Sequence, residues 1–171
     1  MGYQPTSYEP FWYIAPLNIM VGSSPKCGAT SLEKWAKTHN ALPRVHGYAH
    51  DCLRCFFVRD PLERFISLYR NKSEGGYGNL NLIKGKSPEE LISFIESNKV
   101  WNQHWGLQSE VLGDVEAILL PLELMTPLLG AEKYNTSTGE VVMSRSIINR
   151  IYAHYDADKK LYQLSKGVRK W

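Results

Sequence analysis

The segment from Gly22 to Ser31 combines several residue types that favour the binding of an anion. It reads GSSPKCGATS and follows a short apolar run, LNIMV, that predicts a buried strand. Helical spacing of apolar residues begins near Thr30, and the backbone N–H groups at the start of a helix attract anions. Gly28 would let the backbone approach a phosphate, Lys26 adds a positive charge, and the hydroxyls of Thr30 and Ser31 are donors. The segment predicts a phosphate-binding loop, with an ordinary strand–turn–helix connection and a surface lysine as the alternative.

The position of the lysine separates this loop from that of ATP- and GTP-hydrolysing enzymes. Their pattern places a lysine directly after the last glycine and before a hydroxyl residue that binds magnesium. Here Lys26 precedes Gly28. The order of residues therefore argues against a P-loop nucleotide kinase or hydrolase, which we keep as an alternative function.

A second segment, FFVRDPLERFISLY at residues 56–69, places polar groups at a predicted strand end. Asp60 and Pro61 are typical of a helix cap and a first helical position, so Arg59 ends the strand and Ser67 lies two turns into the helix. Ligands of open α/β sheets bind at the carboxyl ends of the strands. A ligand there could contact both Arg59 and Ser67. The alternative is an Arg59–Asp60 ion pair with a solvated serine.

Together the two segments resemble the PAPS-dependent sulfotransferases, where PAPS is 3′-phosphoadenosine 5′-phosphosulfate. The order Pro-Lys-x-Gly-x-Thr-Ser-Leu resembles their 5′-phosphosulfate loop, and Arg-Asp-Pro-x-x-Arg-x-x-Ser-x-Tyr resembles their 3′-phosphate motif. The resemblance implies that Arg59 and Ser67 hold the 3′-phosphate. Cys27 stands where many members carry a small or hydroxyl residue. The implied ligands of the donor are Lys26, Cys27, Gly28, Ala29, Thr30, Ser31, Arg59 and Ser67.

Two further segments resemble the carbohydrate-type branch of that family. The stretch NQHWGLQ at residues 102–108 is similar to a His-Trp-x-x-Gln segment, which implies acceptor-side roles for His104 and Gln108. The stretch LPLEL at residues 120–124 is similar to the segment after the next strand. The resemblance covers residues 17–125, with a fainter likeness at residues 151–162.

The chemistry implied is in-line transfer of a sulfuryl group, which resembles phosphoryl transfer. We predict that Lys26 stabilises the leaving phosphate. The acceptor hydroxyl needs a base, and the resemblance implies a histidine between the two motifs. The match falls on His46, with His50 as the alternative. The scheme requires no metal, and no residues have the spacing of metal ligands.

Composition favours one compact domain that binds small anions. The chain has 171 residues, a net charge of +3 and a hydrophobic share of 43%. That charge lacks the dense basic stripe of nucleic-acid binders. With no apolar run of membrane-spanning length and no visible signal peptide, we expect a cytoplasmic protein of bacterial or viral origin. The expected partners are the nucleotide donor and a hydroxyl acceptor such as a glycan.

Strands alternate with helices along the chain, which predicts an α/β fold. We expect a single three-layer domain over residues 1–171, with a mostly parallel sheet, a P-loop-like strand–loop–helix unit and an extended lead-in over residues 1–16. Strands are predicted at residues 17–21, 43–45, 54–58 and 116–120. Helices are predicted from Thr30, Asp60, Ser87, Pro121 and Ser144.

The sequence therefore predicts transfer of a sulfuryl group from PAPS to the hydroxyl of a carbohydrate or small molecule. One alternative is a non-catalytic module that kept the fold and the nucleotide site but lost turnover. The other is the P-loop nucleotide kinase or hydrolase named above, which would require ATP and magnesium.

Overall fold

A computed structural model of the protein describes residues 11–43, 51–74, 82–97, 102–132 and 140–167. In these residues one sheet has the strand order β3-β1-β2-β4-β5. The strands are β1 (Phe11–Ile14), β2 (Ile19–Ser23), β3 (Leu42–Pro43), β4 (Leu53–Val58) and β5 (Ile118–Pro121).

The α/β prediction is confirmed, with the correction that the sheet is mixed rather than mostly parallel. Strands β2, β4 and β5 are parallel, with Gly22 beside Phe56 and Phe57 beside Leu120. Strand β1 runs antiparallel to both β2 and β3. It lies within the predicted extended lead-in, and its Phe11 is buried against Phe56 with ring centroids 5.6 Å apart. The parallel half of the sheet positions the candidate site.

Helices cover both faces of the sheet and make three layers. Alternate residues of a strand point to opposite faces. Phe57 packs with residues of α1 and α5, whereas its neighbour Phe56 packs with residues of α4 and α7. The helices are α1 (Ala29–Thr38), α2 (Pro61–Leu68), α3 (Pro88–Ser97), α4 (Gln108–Leu112), α5 (Met125–Leu129), α6 (Arg145–His154) and α7 (Asp156–Ser165).

A second apolar cluster joins α2, α3 and α6 beside the sheet. Phe65, Leu91 and Ile151 are each at most 2% exposed and belong to this cluster, together with Trp105. Burial of one such side chain contributes roughly 1.5–3 kcal/mol relative to an exposed one. The cluster therefore fixes the helix that follows β4.

The helix ends follow the predicted capping residues. The Asp60 carboxylate accepts hydrogen bonds from the N–H groups of Leu62 and Glu63, at 2.9 and 3.3 Å. Ser87 and Glu90 exchange bonds as a capping box at the start of α3. The helix predicted from Pro121 is instead a 3₁₀ turn, Leu122–Leu124, followed by the short α5. None of the described helices is long and apolar enough to cross a bilayer.

Candidate functional site

The loop between β2 and α1 has an unusual backbone that only its sequence allows. Lys26 has φ of 68° and Gly28 has φ of 79°, both in the left-handed region. A Cβ at Gly28 would lie 2.8 Å from Leu122 Cδ1 and 2.9 Å from Met125 Cε. The backbone angle favours glycine at position 28, and a larger residue would also require the side-chain ends of Leu122 and Met125 to shift.

This loop leads directly into the N-terminus of α1. The first helical bond runs from the Leu32 N–H to the Gly28 carbonyl, at 2.9 Å. The N–H groups of the first helical turn have no acceptor within a helix, and Gly28 has no side chain that could cap them. Thr30 is exposed and Lys26 is half-buried beside them. The helix dipole and the lysine charge both favour an anion at this point.

Arg59 lies next to the loop, at the carboxyl end of the neighbouring parallel strand. Its Nη1 donates to the carbonyl oxygen of Lys26 at 3.1 Å, and its Nη2 lies 3.3 Å from Glu63 Oε2. The predicted alternative of an Arg59–Asp60 pair is not what forms, because Asp60 caps α2 and accepts a bond from Tyr152 Oη at 3.2 Å. The two predicted anion-binding segments are thus direct neighbours.

The Tyr152 hydroxyl is held against that carboxylate as a donor. Burial, followed by the charge of Asp60, raises the pKa of Tyr152 to about 12. The phenol therefore stays protonated at neutral pH and keeps its bond to the cap of α2. This contact joins α6 to the helix that carries Ser67.

Ser67 lies in the last turn of α2 and is half-buried. A π-helical segment, Tyr69–Glu74, continues the helix directly after it. Such π-helical turns occur often at functional sites. The assignment of Ser67 to the 3′-phosphate stays a prediction.

Cys27 is an internal part of the loop and not an exposed ligand. Its side chain is completely buried, accepts a bond from Ser24 Oγ at 3.0 Å and donates to Gln108 Oε1 at 2.8 Å. Burial raises the pKa of the Cys27 thiol, so the thiol is neutral and unreactive. The loop can offer a ligand the backbone of Cys27, but the side chain faces inward.

Gln108, predicted on the acceptor side, lies beneath the two loops. It is fully buried, and its Oε1 accepts the N–H of Arg59 at 2.9 Å while its Nε2 donates to the carbonyl of the same residue at 2.9 Å. The structure therefore gives this side chain an internal role. Sequence similarity located the residue but not the direction in which its amide points.

His104 occupies a different place from Gln108, although both come from one motif. It is half-buried, and its backbone N–H donates to Asn102 Oδ1 at 2.9 Å. Its acceptor-side role stays a prediction. His46 and His50 lie outside the described residues, so the choice between them as base also stays a prediction.

Arg64 and Asp158 lie beneath the site and stabilise its loops. The sequence did not single out either residue. Arg64 is 3% exposed and donates to the carbonyls of Pro25, Gly106 and Gln103, at 3.2, 2.7 and 3.3 Å. Its Nη1 lies 3.7 Å from the carboxylate of Asp158, which is fully buried. Arg64 is part of the second motif and could have been found there. Asp158 lies within the fainter likeness at residues 151–162, but that likeness pointed to no role for it, because α7 reaches the site only through tertiary packing.

Across the described ranges, no three His, Cys, Asp or Glu residues are grouped so that they could hold a metal ion. Three cationic side chains lie at or beneath the site. Lys26 and Arg59 lie at the carboxyl edge of the parallel strands, and Arg64 lies beneath them. The donor set of the site therefore suits an anionic ligand.

The site lies in an α/β domain, where a glycine-containing loop follows one strand and an arginine follows the neighbouring parallel strand. The model of the sulfotransferase family matches residues 18–116, which is more than half of the chain. The chain belongs to the sulfotransferase family, and this membership supports sulfuryl transfer as its general reaction. No curated protein and no solved structure matches the chain.

Proposed function

We propose that the protein transfers a sulfuryl group from PAPS to a hydroxyl of a carbohydrate or small molecule. The bond from Arg59 to the Lys26 carbonyl carries the proposal, because it makes two separate cationic segments neighbours. PAPS has two separate anionic groups, the 5′-phosphosulfate and the 3′-phosphate. The loop and the first turn of α1 suit the former, and Arg59 with Ser67 suits the latter.

Arg59 has donors to spare for a phosphate. A guanidinium has five N–H donors, and its bonds to Lys26 and Glu63 are made by one nitrogen each. The side chain is 27% exposed, so it is reachable from solvent. The two internal contacts hold the group in place, which lowers the entropic cost of ordering it around a ligand.

In the transfer, the acceptor oxygen forms a bond to sulfur while the bond from sulfur to the bridging 5′-phosphate oxygen breaks. Negative charge develops on that phosphate oxygen, and Lys26 stabilises it. The proton of the acceptor hydroxyl passes to the base, for which we propose His46 with His50 as the alternative. The products are the sulfated acceptor and adenosine 3′,5′-bisphosphate.

A thermal-unfolding comparison of two nucleotides tests the proposed donor. Ligand that binds only the folded state adds about 2.7 kcal/mol of stability at a hundredfold excess over its dissociation constant. We expect adenosine 3′,5′-bisphosphate to stabilise the protein much more than magnesium-ATP at equal concentration. Equal or greater stabilisation by magnesium-ATP would contradict the proposal and favour a P-loop kinase or hydrolase.

A further inference from the structure

The side-chain amide of Gln108 holds the backbone of Arg59 on both sides of its Cα. Oε1 accepts the Arg59 N–H, and Nε2 donates to the Arg59 carbonyl, each at 2.9 Å. These bonds replace the strand partners that a residue just past the end of β4 would otherwise need. They fix the position of the Cα, and with it the direction in which the guanidinium leaves the backbone.

Asp158 favours the same direction of this amide as the Arg59 backbone does. Its carboxylate accepts bonds from the Gln108 N–H at 2.8 Å and from Gln108 Nε2 at 3.4 Å. A carboxylate accepts hydrogen bonds, so it attracts Nε2, and Oε1 is left to accept the Arg59 N–H and the Cys27 thiol. Asp158 and the backbone of Arg59 therefore require the same orientation of the Gln108 amide. We call Asp158 and Gln108 the buried bridge.

The buried bridge is itself firmly held. Asp158 also accepts bonds from the N–H and Oγ of Ser109, at 3.1 and 3.3 Å, and lies beside Arg64. Asp158 and Gln108 are both 0% exposed. In such surroundings hydrogen bonds are electrostatically stronger and an unpaired group is costly. A change in α7 that moves Asp158 should therefore also move Gln108 and Arg59, because the two buried side chains cannot exchange their bonds for bonds to solvent.

We propose that Gln108, oriented by Asp158, is a positioning residue that aims Arg59 at the 3′-phosphate of the donor. This inference rests on the proposed function, because it takes the 3′-phosphate as the ligand of Arg59. Asp158 lies beyond the residues matched by the family model. Helix α7 is on this account a functional part of the donor site and not only a cover for the sheet.

We expect changes at Gln108 to reduce the selectivity for a nucleotide that carries a 3′-phosphate, in addition to any loss of stability. Without the amide of Gln108, the backbone of Arg59 is no longer fixed and its guanidinium no longer has one direction, so affinity for a 3′-phosphate falls. Cys27 also loses its acceptor, Gln108 Oε1, at 2.8 Å. The left-handed backbone of Lys26 and Gly28 and the start of α1 do not involve the amide, so affinity for a 5′-phosphate falls less. A merely structural role would lower the affinity for adenosine 3′,5′-bisphosphate and for adenosine 5′-monophosphate by the same factor. The ratio of the two dissociation constants therefore distinguishes positioning from general damage.

Calorimetric titration of both nucleotides measures that ratio. We expect the wild type to bind the bisphosphate at least about tenfold more tightly, the scale of one charge-assisted bond. Gln108→Met should raise the dissociation constant of the bisphosphate about tenfold and change that of the monophosphate much less. Asp158→Asn should act in the same direction with a smaller effect. Ser165→Ala is the matched control, because this buried hydroxyl of α7 bonds only within its own helix, to the Tyr162 carbonyl.

A second variant covers the case in which Gln108→Met does not fold. Gln108→Asn keeps the amide but shortens it by one methylene, and it should also reduce the ratio. A folded Gln108 variant with the wild-type ratio would overturn the inference while leaving the proposed donor intact. Unchanged selectivity in Asp158→Asn would remove Asp158 from the account. A wild type with no preference for the bisphosphate would instead overturn the proposed function, and the inference with it.

Discussion

Two regions of the molecule use arginine and carboxylate in opposite ways. Beneath the loop between β2 and α1, Arg64 and Asp158 are buried and each makes hydrogen bonds to backbone groups. On the outer face of α3 and α6, Arg150 pairs with Glu96 at 2.5 Å in contact with solvent. Buried pairs are costly to break, whereas exposed pairs contribute little. The difference shows that the charged residues that matter most for stability lie beneath the loop that precedes α1.

The largest expected effect on stability is the loss of Arg64. Arg64→Ala would leave the carboxylate of Asp158 buried without its cation and would remove the guanidinium donor from three backbone carbonyls. Breaking a buried pair in this way costs roughly 3–5 kcal/mol of stability. Urea unfolding should show a midpoint far below that of the wild type. If the unfolding midpoint of Arg64→Ala equalled that of the wild type, the buried pair would contribute no more to stability than the exposed pair does.

Loss of Lys26 should affect the chemistry and spare the fold. Lys26→Ala removes the charge that stabilises the leaving phosphate, and we expect the transfer rate to fall by about 10²–10³. Its half-buried side chain takes no part in the apolar core, so the unfolding midpoint should change little. Single-turnover transfer assays measure the rate, and undiminished turnover would show that another group stabilises the leaving oxygen.

The proposed base should act on the acceptor alone. His46→Ala should lower the transfer rate by about 10²–10⁴ with nearly unchanged nucleotide affinity, since it takes the acceptor proton. His50→Ala is the paired variant, and a loss at His50 alone would move the role to that residue. Full activity in both variants would exclude either histidine as the base.

Arg59 and Ser67 should differ in how strongly they bind the nucleotide. A charge-assisted hydrogen bond contributes roughly 1.5–3 kcal/mol and a neutral one about 1 kcal/mol. Arg59→Ala should therefore weaken the binding of adenosine 3′,5′-bisphosphate more than Ser67→Ala does. Calorimetry decides the order, and wild-type affinity in Arg59→Ala would mean that the 3′-phosphate site lies elsewhere.

The smallest effect is expected at the exposed pair. Arg150→Ala removes contacts to Glu96 and Ser93 that face solvent. Surface ion pairs are screened and are offset by the entropy of ordering two long side chains. Both the unfolding midpoint and the transfer rate should stay close to the wild type. A large drop in the midpoint would show that α6 depends on this pair after all.

The sequence predicted those parts of the molecule that are determined locally. A glycine in a loop before a helix, Asp60 before Pro61, and the alternation of apolar strands with amphipathic helices each depend on a few adjacent residues. The loop and Arg59 were found in this way, and the parallel pairing of β2 with β4 brings them together. The antiparallel β1 was missed because its four residues follow a Pro- and Tyr-rich segment that predicts no regular structure.

The network beneath the site could not be predicted in the same way. Gln108 and Asp158 are 50 residues apart, and only the packing of α4 against α7 makes them partners. A glutamine in a family-like segment suggested contact with a ligand, whereas its burial gives it contact with Arg59. Hydrogen-bond direction depends on the neighbours in space, which a single sequence does not contain.

The most direct test of the central claim is a transfer assay with PAPS labelled in its sulfuryl group. The wild type, incubated with pools of saccharide and small-alcohol acceptors, should move the label to an acceptor and release adenosine 3′,5′-bisphosphate. Lys26→Ala should retain most nucleotide binding and lose most of the transfer. Tight binding of the bisphosphate by the wild type, with no transfer to any hydroxyl acceptor, would contradict the account and identify a nucleotide-binding module without catalysis.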